Sequence, residues 1–338
     1  MGLDHRVRCC PDGLMTDRRR DVKVLDCTIR DGGCCNGWWF EPSLVKDTFN
    51  ALSGAGVDVM EIGYQTSPGV FKPGEVGPWR YCEEELIQEV AEDNKIKLAT
   101  MLDYGRFDLK YLKPAKDSLI SIIRLAAYGK DIDGAIEILE GAQALGYEVF
   151  CNVMAVSTCT PQEVDTFLER LRQSTVENVA VVDSFGAMYP HHIRYLIRKY
   201  KNWLRPDQKV GVHFHNNQQS AFANTIAAID EGADFVDATV LGMGRGAGNC
   251  PLELLLMYLD NPNHDVHPIL PLMSRFAELR DSLKWDYHPP YAISGWLNVH
   301  PKSAIDKMRS PEPYELLAYY DELIRIHKPR RHHRAAIE

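Results

Sequence analysis

No two of the nine cysteines in this 338-residue chain stand in Cys-x-x-Cys spacing. That excludes the paired-thiol patterns used by structural zinc sites and by dithiol redox enzymes. The positions are Cys9, Cys10, Cys27, Cys34, Cys35, Cys82, Cys151, Cys159 and Cys250. They are odd in number and read as free thiols in a reducing compartment. Long apolar runs are missing as well. None approaches the ~20 residues that a membrane span needs, and the N-terminal stretch is too charged for the core of a signal peptide. Arg6 stands where a myristoylation pattern needs Ser or Thr. A cytoplasmic location is the expectation. Positive charge is in short supply: 38 Lys and Arg face 47 Asp and Glu, a formal net charge of -9. Such a balance excludes a general affinity for phosphate backbones, so no nucleic-acid partner is expected. The basic run from Lys328 to Arg334 is a local exception and reads as a solvated tail.

What is present is an ordinary globular composition, 45% hydrophobic and 25% charged, with enough length for one large α/β domain. After an arm without periodicity over residues 1–20, one unit recurs: a short Val/Ile/Leu-rich run, then a longer segment of helical spacing. Strands are predicted at 22–28, 57–64, 97–103, 119–127, 148–156, 178–183, 209–215 and 235–241. Helices are predicted near 43–52, 82–94, 132–145, 161–173, 190–203, 218–231 and 252–259, with a shorter link over 104–118. Asp31-Gly32-Gly33 reads as a turn after the first strand, and Ser43 as the N-cap of the first helix. Eight strand–helix units are the count and length of a (β/α)₈ barrel occupying residues 21–261. A doubly wound open sheet is the alternative, but no dinucleotide fingerprint follows the first strand. Residues 262–338 read as a small C-terminal helical extension, with helices at 270–283 and 311–326 and the basic tail.

In such a barrel the carboxyl ends of the strands carry the chemistry. Polar residues collect there: Arg30 and Asp31, Glu61, Asp103, Arg124, Asn152, Asp183 and Ser184, His213 and His215, and Asn249 in the glycine-rich loop after the last strand. His213 and His215 are two apart, so a strand points both imidazoles the same way. With Asp31 they form a two-histidine, one-carboxylate set that leaves coordination positions open for substrate, suited to manganese, magnesium, iron, cobalt or zinc. Arg30 is of the residue type that holds a carboxylate or enolate oxygen in bidentate fashion.

Four segments carry a resemblance. They are Leu25-Asp26-Cys27-Thr28-Ile29-Arg30-Asp31-Gly32-Gly33, Asp183-Ser184-Phe185-Gly186, Gly211-Val212-His213-Phe214-His215-Asn216-Asn217, and Gly242-Met243-Gly244-Arg245-Gly246-Ala247-Gly248-Asn249. Together they resemble the signature segments of the DRE-TIM metallolyase superfamily of HMG-CoA lyase-like TIM barrels. The run from Gly246 to Glu253 is most similar to the 4-hydroxy-2-oxoacid (4-hydroxy-2-oxovalerate) aldolases. The resemblance implies a divalent metal, Mn²⁺ or Mg²⁺ first and Zn²⁺ or Co²⁺ as alternatives, on Asp31, His213 and His215. It also implies that Asn249 is a further ligand and that Arg30 stabilises the enolate of a 2-oxo acid. The reaction implied is carbon–carbon cleavage or formation through a metal-bound pyruvate enolate, with a 2-oxo acid and an aldehyde as small-molecule partners. From their place at the strand ends, Glu61, Arg124 and Asp183 are the candidates for binding the substrate. A homo-oligomer is expected, and some relatives pair with an aldehyde dehydrogenase.

One position departs from the pattern. Cys34 stands where the aldolases resembled have a histidine base and the Claisen synthases and acyl-CoA lyases have a glutamine. Cys34 is therefore a candidate catalytic residue, together with Tyr291 and His300 from the C-terminal extension. Trp38-Trp39-Phe40 reads as packing or a lid. An acyl-CoA-dependent Claisen synthase or lyase, and a non-catalytic barrel scaffold, are the alternative functions.

Overall fold

Residues 17–91 and 96–327 are described by the structure, a computed structural model. Most of the expected N-terminal arm and the basic run from Lys328 to Arg334 lie outside the described residues.

Eight parallel strands close in sequence order into a barrel, β1 pairing with β2 on one side and with β8 on the other. They are β1 (Lys23–Asp26), β2 (Val59–Tyr64), β3 (Lys97–Asp103), β4 (Ile120–Tyr128), β5 (Glu148–Met154), β6 (Asn178–Asp183), β7 (Lys209–Phe214) and β8 (Phe235–Ala238). Closure rules out the open sheet. Helices α1 (Thr28–Asn36), α2 (Pro42–Gly54), α3 (Glu84–Val90), α4 (Ile132–Ala144), α5 (Pro161–Gln173), α6 (Pro190–Trp203), α7 (Ala221–Asp230) and α8 (Leu252–Leu259) connect and follow the strands. The chain then adds α9 (Ile269–Leu283), α10 (Pro289–Trp296), α11 (Lys302–Met308) and α12 (Leu316–His327).

Local chemistry accounts for these elements. In α5, Thr160 and Glu163 form a reciprocal capping box and Pro161 opens the helix, where its missing N–H costs nothing. Its inner face buries Val164, Phe167, Leu168 and Leu171, each such side chain contributing about 1.5–3 kcal/mol when fully removed from water. Strands such as β2 and β6 are buried along their whole length, because helices cover the outer face while the barrel fills its inner one.

Three expectations need correction. Asp31-Gly32-Gly33 is not a turn but lies inside α1. The Asp26 carboxylate accepts hydrogen bonds from the Thr28 N–H (3.0 Å) and hydroxyl (2.6 Å), closing the strand end, and the Asp31 N–H reaches the Cys27 carbonyl at 2.8 Å. Glycine serves packing here: a Cβ on Gly33 would lie 2.0 Å from the Trp38 ring, and one on Gly32 would lie 2.8 Å from the Met243 sulfur. Secondly, α2 begins at Pro42 with Glu41 in the cap position, so Ser43 is inside the helix. Thirdly, α10 and α11 were not anticipated, and the helix expected over 311–326 starts at Leu316.

The barrel interior is layered by strand periodicity. At the amino end Leu25, Val59, Ala99, Ile122, Phe150, Ala180 and Phe235 pack together. Gly211 belongs to this layer, where a Cβ would lie 1.9 Å from the Phe235 ring. Two residues further along the same strands, on the same face, stand Glu61, Arg124, Asn152, His213 and Asp237.

Candidate metal centre and active site

Asp31 is carried over the barrel mouth by the buried first turn of α1, and His213 and His215 leave the end of β7 on the inner face. Ligand atoms of the three side chains all lie within 4.8 Å of one another. The two imidazoles stand edge to face with ring centroids 5.1 Å apart. Asn249 bridges to His215 through a backbone pair, and its Nδ2 donates to Asp31 Oδ2 at 2.7 Å and to the Met243 carbonyl at 3.1 Å.

Three buried polar atoms here have no hydrogen-bond partner: His213 Nε2, His215 Nδ1 and Asn249 Oδ1. Buried acceptors left unpaired are costly, which makes this convergence a sign of a ligand. The rest of each side chain is held. His213 Nδ1 meets Asp237 Oδ2 at 3.0 Å, which fixes the ring and leaves Nε2 for a cation. Asp31 accepts from Arg30 Nη1 at 2.8 Å and from the Arg245 backbone N–H at 3.3 Å. Burial alone would raise its pKa, but the permanent positive charges of Arg30 and Arg245 beside it hold the carboxyl well below the usual range. Burial keeps the His215 imidazole well below its ordinary value. A carboxylate and a neutral imidazole are the protonation states that metal ligation needs. The residues present therefore fit a divalent cation.

Cys27, His213 and Asp237 form a second convergent group. It fits a cation less well: burial disfavours the Cys27 thiolate, and Asp237 is already ion-paired to Arg124 Nη2 at 2.7 Å.

A cavity of about 230 Å³ opens on this centre, bordered by Arg30, Asp31, Cys34, Asn152, His213 and Arg245 among others. Arg30 spends Nε on Glu61 (2.6 Å) and Nη1 on Asp31, while Nη2 makes no hydrogen bond among the described residues. Cys34 does face the cavity, but burial, followed by the Asp31 charge, pushes its thiol up to about 12. Both effects disfavour its thiolate.

Other expected site residues lie elsewhere. Glu61 and Arg124 do not border the cavity: they are fully buried beneath it, joined at 3.1 Å, in a chain that runs from Arg30 through Glu61 and Arg124 to Asp237 and His213. Asp183 is also buried and off the cavity; its carboxylate accepts the N–H groups of Ala187 (3.1 Å) and Met188 (2.8 Å) and so orders the loop after β6. Tyr291 is buried among Ala247, Ala304 and Met308 and borders a neighbouring cavity. His300 packs edge to face on Phe185 outside the cavity. Trp38 borders the cavity and donates its ring N–H to the Arg30 carbonyl at 2.9 Å, whereas Trp39 is exposed.

Sequence reasoning missed Asp237, Arg245 and Arg80. Asp237 left a signal, an acidic residue in an otherwise apolar strand in phase with Phe235. Arg245 lay within a quoted loop; its Nη2 reaches the Ser184 carbonyl at 2.6 Å and His215 Nε2 at 3.3 Å. Arg80 left none. It is buried with its guanidinium 3.8 Å from the Tyr64 ring centroid and 4.6 Å from that of Trp38, and is ion-paired to Asp103.

Fold and donor set thus define a TIM-barrel enzyme suited to a divalent cation. The HMGL-like family matches residues 21–274, and the chain belongs to that family. It is 35% identical over 253 residues to a 4-hydroxy-2-oxovalerate aldolase of Thermus thermophilus, covering 73% of this chain and 72% of the relative. It is 31% identical over 254 residues to an oxaloacetate decarboxylase of Mycobacterium tuberculosis, covering 74% of each. Among solved structures, the N-terminal domain of a Bacteroides vulgatus protein, provisionally described as an aldolase, superposes with a TM-score of 0.77 at 31% identity, over 90% of this chain and all of that one. An HMG-CoA lyase of Pseudomonas aeruginosa shares the fold at a TM-score of 0.66 and 20% identity, over 78% of this chain and 94% of that one. The protein is accordingly a carbon–carbon lyase rather than a non-catalytic scaffold. No helix of the described residues is long and apolar enough to cross a membrane.

Proposed function

We propose that the protein is a divalent-metal-dependent aldolase that cleaves a 4-hydroxy-2-oxo acid into pyruvate and an aldehyde, or joins the two. The observation that carries this reading is the convergence of three unpartnered buried atoms, on His213, His215 and Asn249, beside the ionised Asp31. Those four residues would hold the ion, Mn²⁺ or Mg²⁺ first, which supplies Lewis acidity to the oxygens of a 2-oxo acid. Arg30 offers its unbonded Nη2 to the oxygen on which negative charge develops. In cleavage the 4-hydroxyl gives up its proton to solvent, the C3–C4 bond breaks with its electron pair entering the C2–C3 enolate, and the aldehyde departs. The enolate then takes a proton at C3 to yield pyruvate.

One observation favours a second reading, decarboxylation of a 2-oxo acid that carries a carboxylate on C3. Both carboxylates bordering the cavity, Asp31 and Asp103, are ion-paired, and burial disfavours the Cys34 thiolate. Loss of carbon dioxide leaves the same enolate without any hydroxyl proton to remove, and one relative is described as an oxaloacetate decarboxylase.

Exchange of the pyruvate methyl protons for deuterium tests what both readings share. It is expected to need added divalent cation and to be lost in His213→Ala; absence of exchange with every cation tried would defeat both. An aldehyde screen for pyruvate consumption, run beside an oxaloacetate assay for pyruvate release, separates them.

A further inference from the structure

A second cavity, of about 520 Å³, adjoins the first, and Cys34 and Arg245 border both. Its far wall comes from the C-terminal addition: Lys284 at the end of α9, Tyr291 in α10, and Arg309 just past α11. These residues lie beyond residue 274, where the family match ends. Arg245, Lys284 and Arg309 all border this space, and no acidic side chain among the described residues does. Neither Lys284 nor Arg309 has an ion-pair partner among the described residues. Their neighbours do: Lys302 meets Asp306 at 2.7 Å and Lys307 meets Glu315 at 3.6 Å.

In a chain of net charge -9, three cations around one concavity whose lining among the described residues holds no acidic side chain form a local field that attracts anions. Charge of one sign lining a concave wall focuses that field inward. A guanidinium and an ammonium at the far wall also supply the donors that a carboxylate or phosphate takes. We infer that this cavity receives the anionic end of the aldehyde-derived half of the substrate. The bond made or broken then lies at the junction bordered by Cys34 and Arg245, and the remote negative charge lies against Lys284 and Arg309. This rests on the aldolase reading and adds a substrate class to it: aldehydes ending in a carboxylate or a phosphate, not neutral ones.

The test uses the full chain with divalent cation, pyruvate and three aldehydes: propionaldehyde, succinic semialdehyde and glyceraldehyde 3-phosphate. At least one charged aldehyde is expected to exceed propionaldehyde in kcat/KM by about tenfold or more, and which one identifies the anion. The double variant Lys284→Asn/Arg309→Gln removes both charges; asparagine suits position 284, whose φ is +56°. It is expected to lose that preference through KM while propionaldehyde turnover holds. Calorimetric titration with succinate and with inorganic phosphate gives a readout independent of turnover, and the double variant is expected to weaken binding about tenfold. Anion binding that the double variant weakens, in a protein without aldol activity, would overturn the aldolase reading and leave the anion cavity standing. A wild-type protein with no preference for charged aldehydes, or anion binding that the double variant leaves unchanged, would overturn the inference.

Discussion

A histidine becomes a ligand or a packing residue according to what its second nitrogen does. His213 has its Nδ1 tied to Asp237, and Asp237 is itself held by Arg124, so the ring presents Nε2 in one orientation. Partners of this kind raise ligand basicity and fix the tautomer, and their loss costs about 10–100-fold in metal affinity. Asp237→Asn keeps the shape but removes the charge, so metal affinity is expected to fall within that range while the fold persists. Titration with Mn²⁺ followed by paramagnetic broadening or calorimetry measures it, and an unchanged affinity would mean that His213 is not a ligand. Cys34 illustrates the opposite case: its place at the cavity edge was legible from the Arg-Asp-Gly segment, but its protonation followed only from burial and from the nearby Asp31 charge.

Among the elements, the loop from Gly242 to Asn249 that follows β8 does most to shape the centre. Asn249 can lie against Asp31 because residue 244 has no side chain. A Cβ on Gly244 would stand 2.2 Å from Asn249 Nδ2 and 2.5 Å from Asp31 Oδ2, far inside contact distance. Gly244→Ala is therefore expected to push Asn249 and Asp31 apart, with cation-dependent exchange of pyruvate protons falling about tenfold or more, as small misplacements at reacting centres do. Measured beside the thermal midpoint, a loss of exchange in a folded protein would support the argument, and full exchange would contradict it. The same kind of close approach explains why α1 read as a turn. Its two glycines answer to Trp38, brought back by the turn that ends the helix, and to Met243, which comes near only once the barrel has closed.

For the molecule as a whole, the barrel interior stacks an apolar layer beneath a charged one. Arg124 sits fully buried between Glu61 and Asp237, and Arg30 shares Glu61 from above. Removing one member of a buried ion network strands the others, at a cost of about 3–5 kcal/mol. Arg124→Met is expected to lower unfolding stability by that amount in a urea titration, and a change near zero would show that the network is not coupled to folding. Alternating apolar runs and helical segments sufficed to determine the barrel, because strand and helix periods are local and eight repeats admit few packings. The same periodicity placed His213 and His215 on one face, and the order of strands put Asp31 within their reach. Roles that depend on distant partners were not legible. Glu61 and Arg124 lie on strands whose carboxyl ends face the mouth, but the depth at which each side chain stops, and its pairing, depend on barrel geometry. The C-terminal wall of the second cavity was decided only by tertiary structure, because α10 and α11 are short and bring together Lys284, Tyr291 and Arg309 across loops with no periodic signal. Sequence alone thus determined the repeating fold and the donor types, while packing decided which charges pair beneath the site and which remain free to meet a ligand.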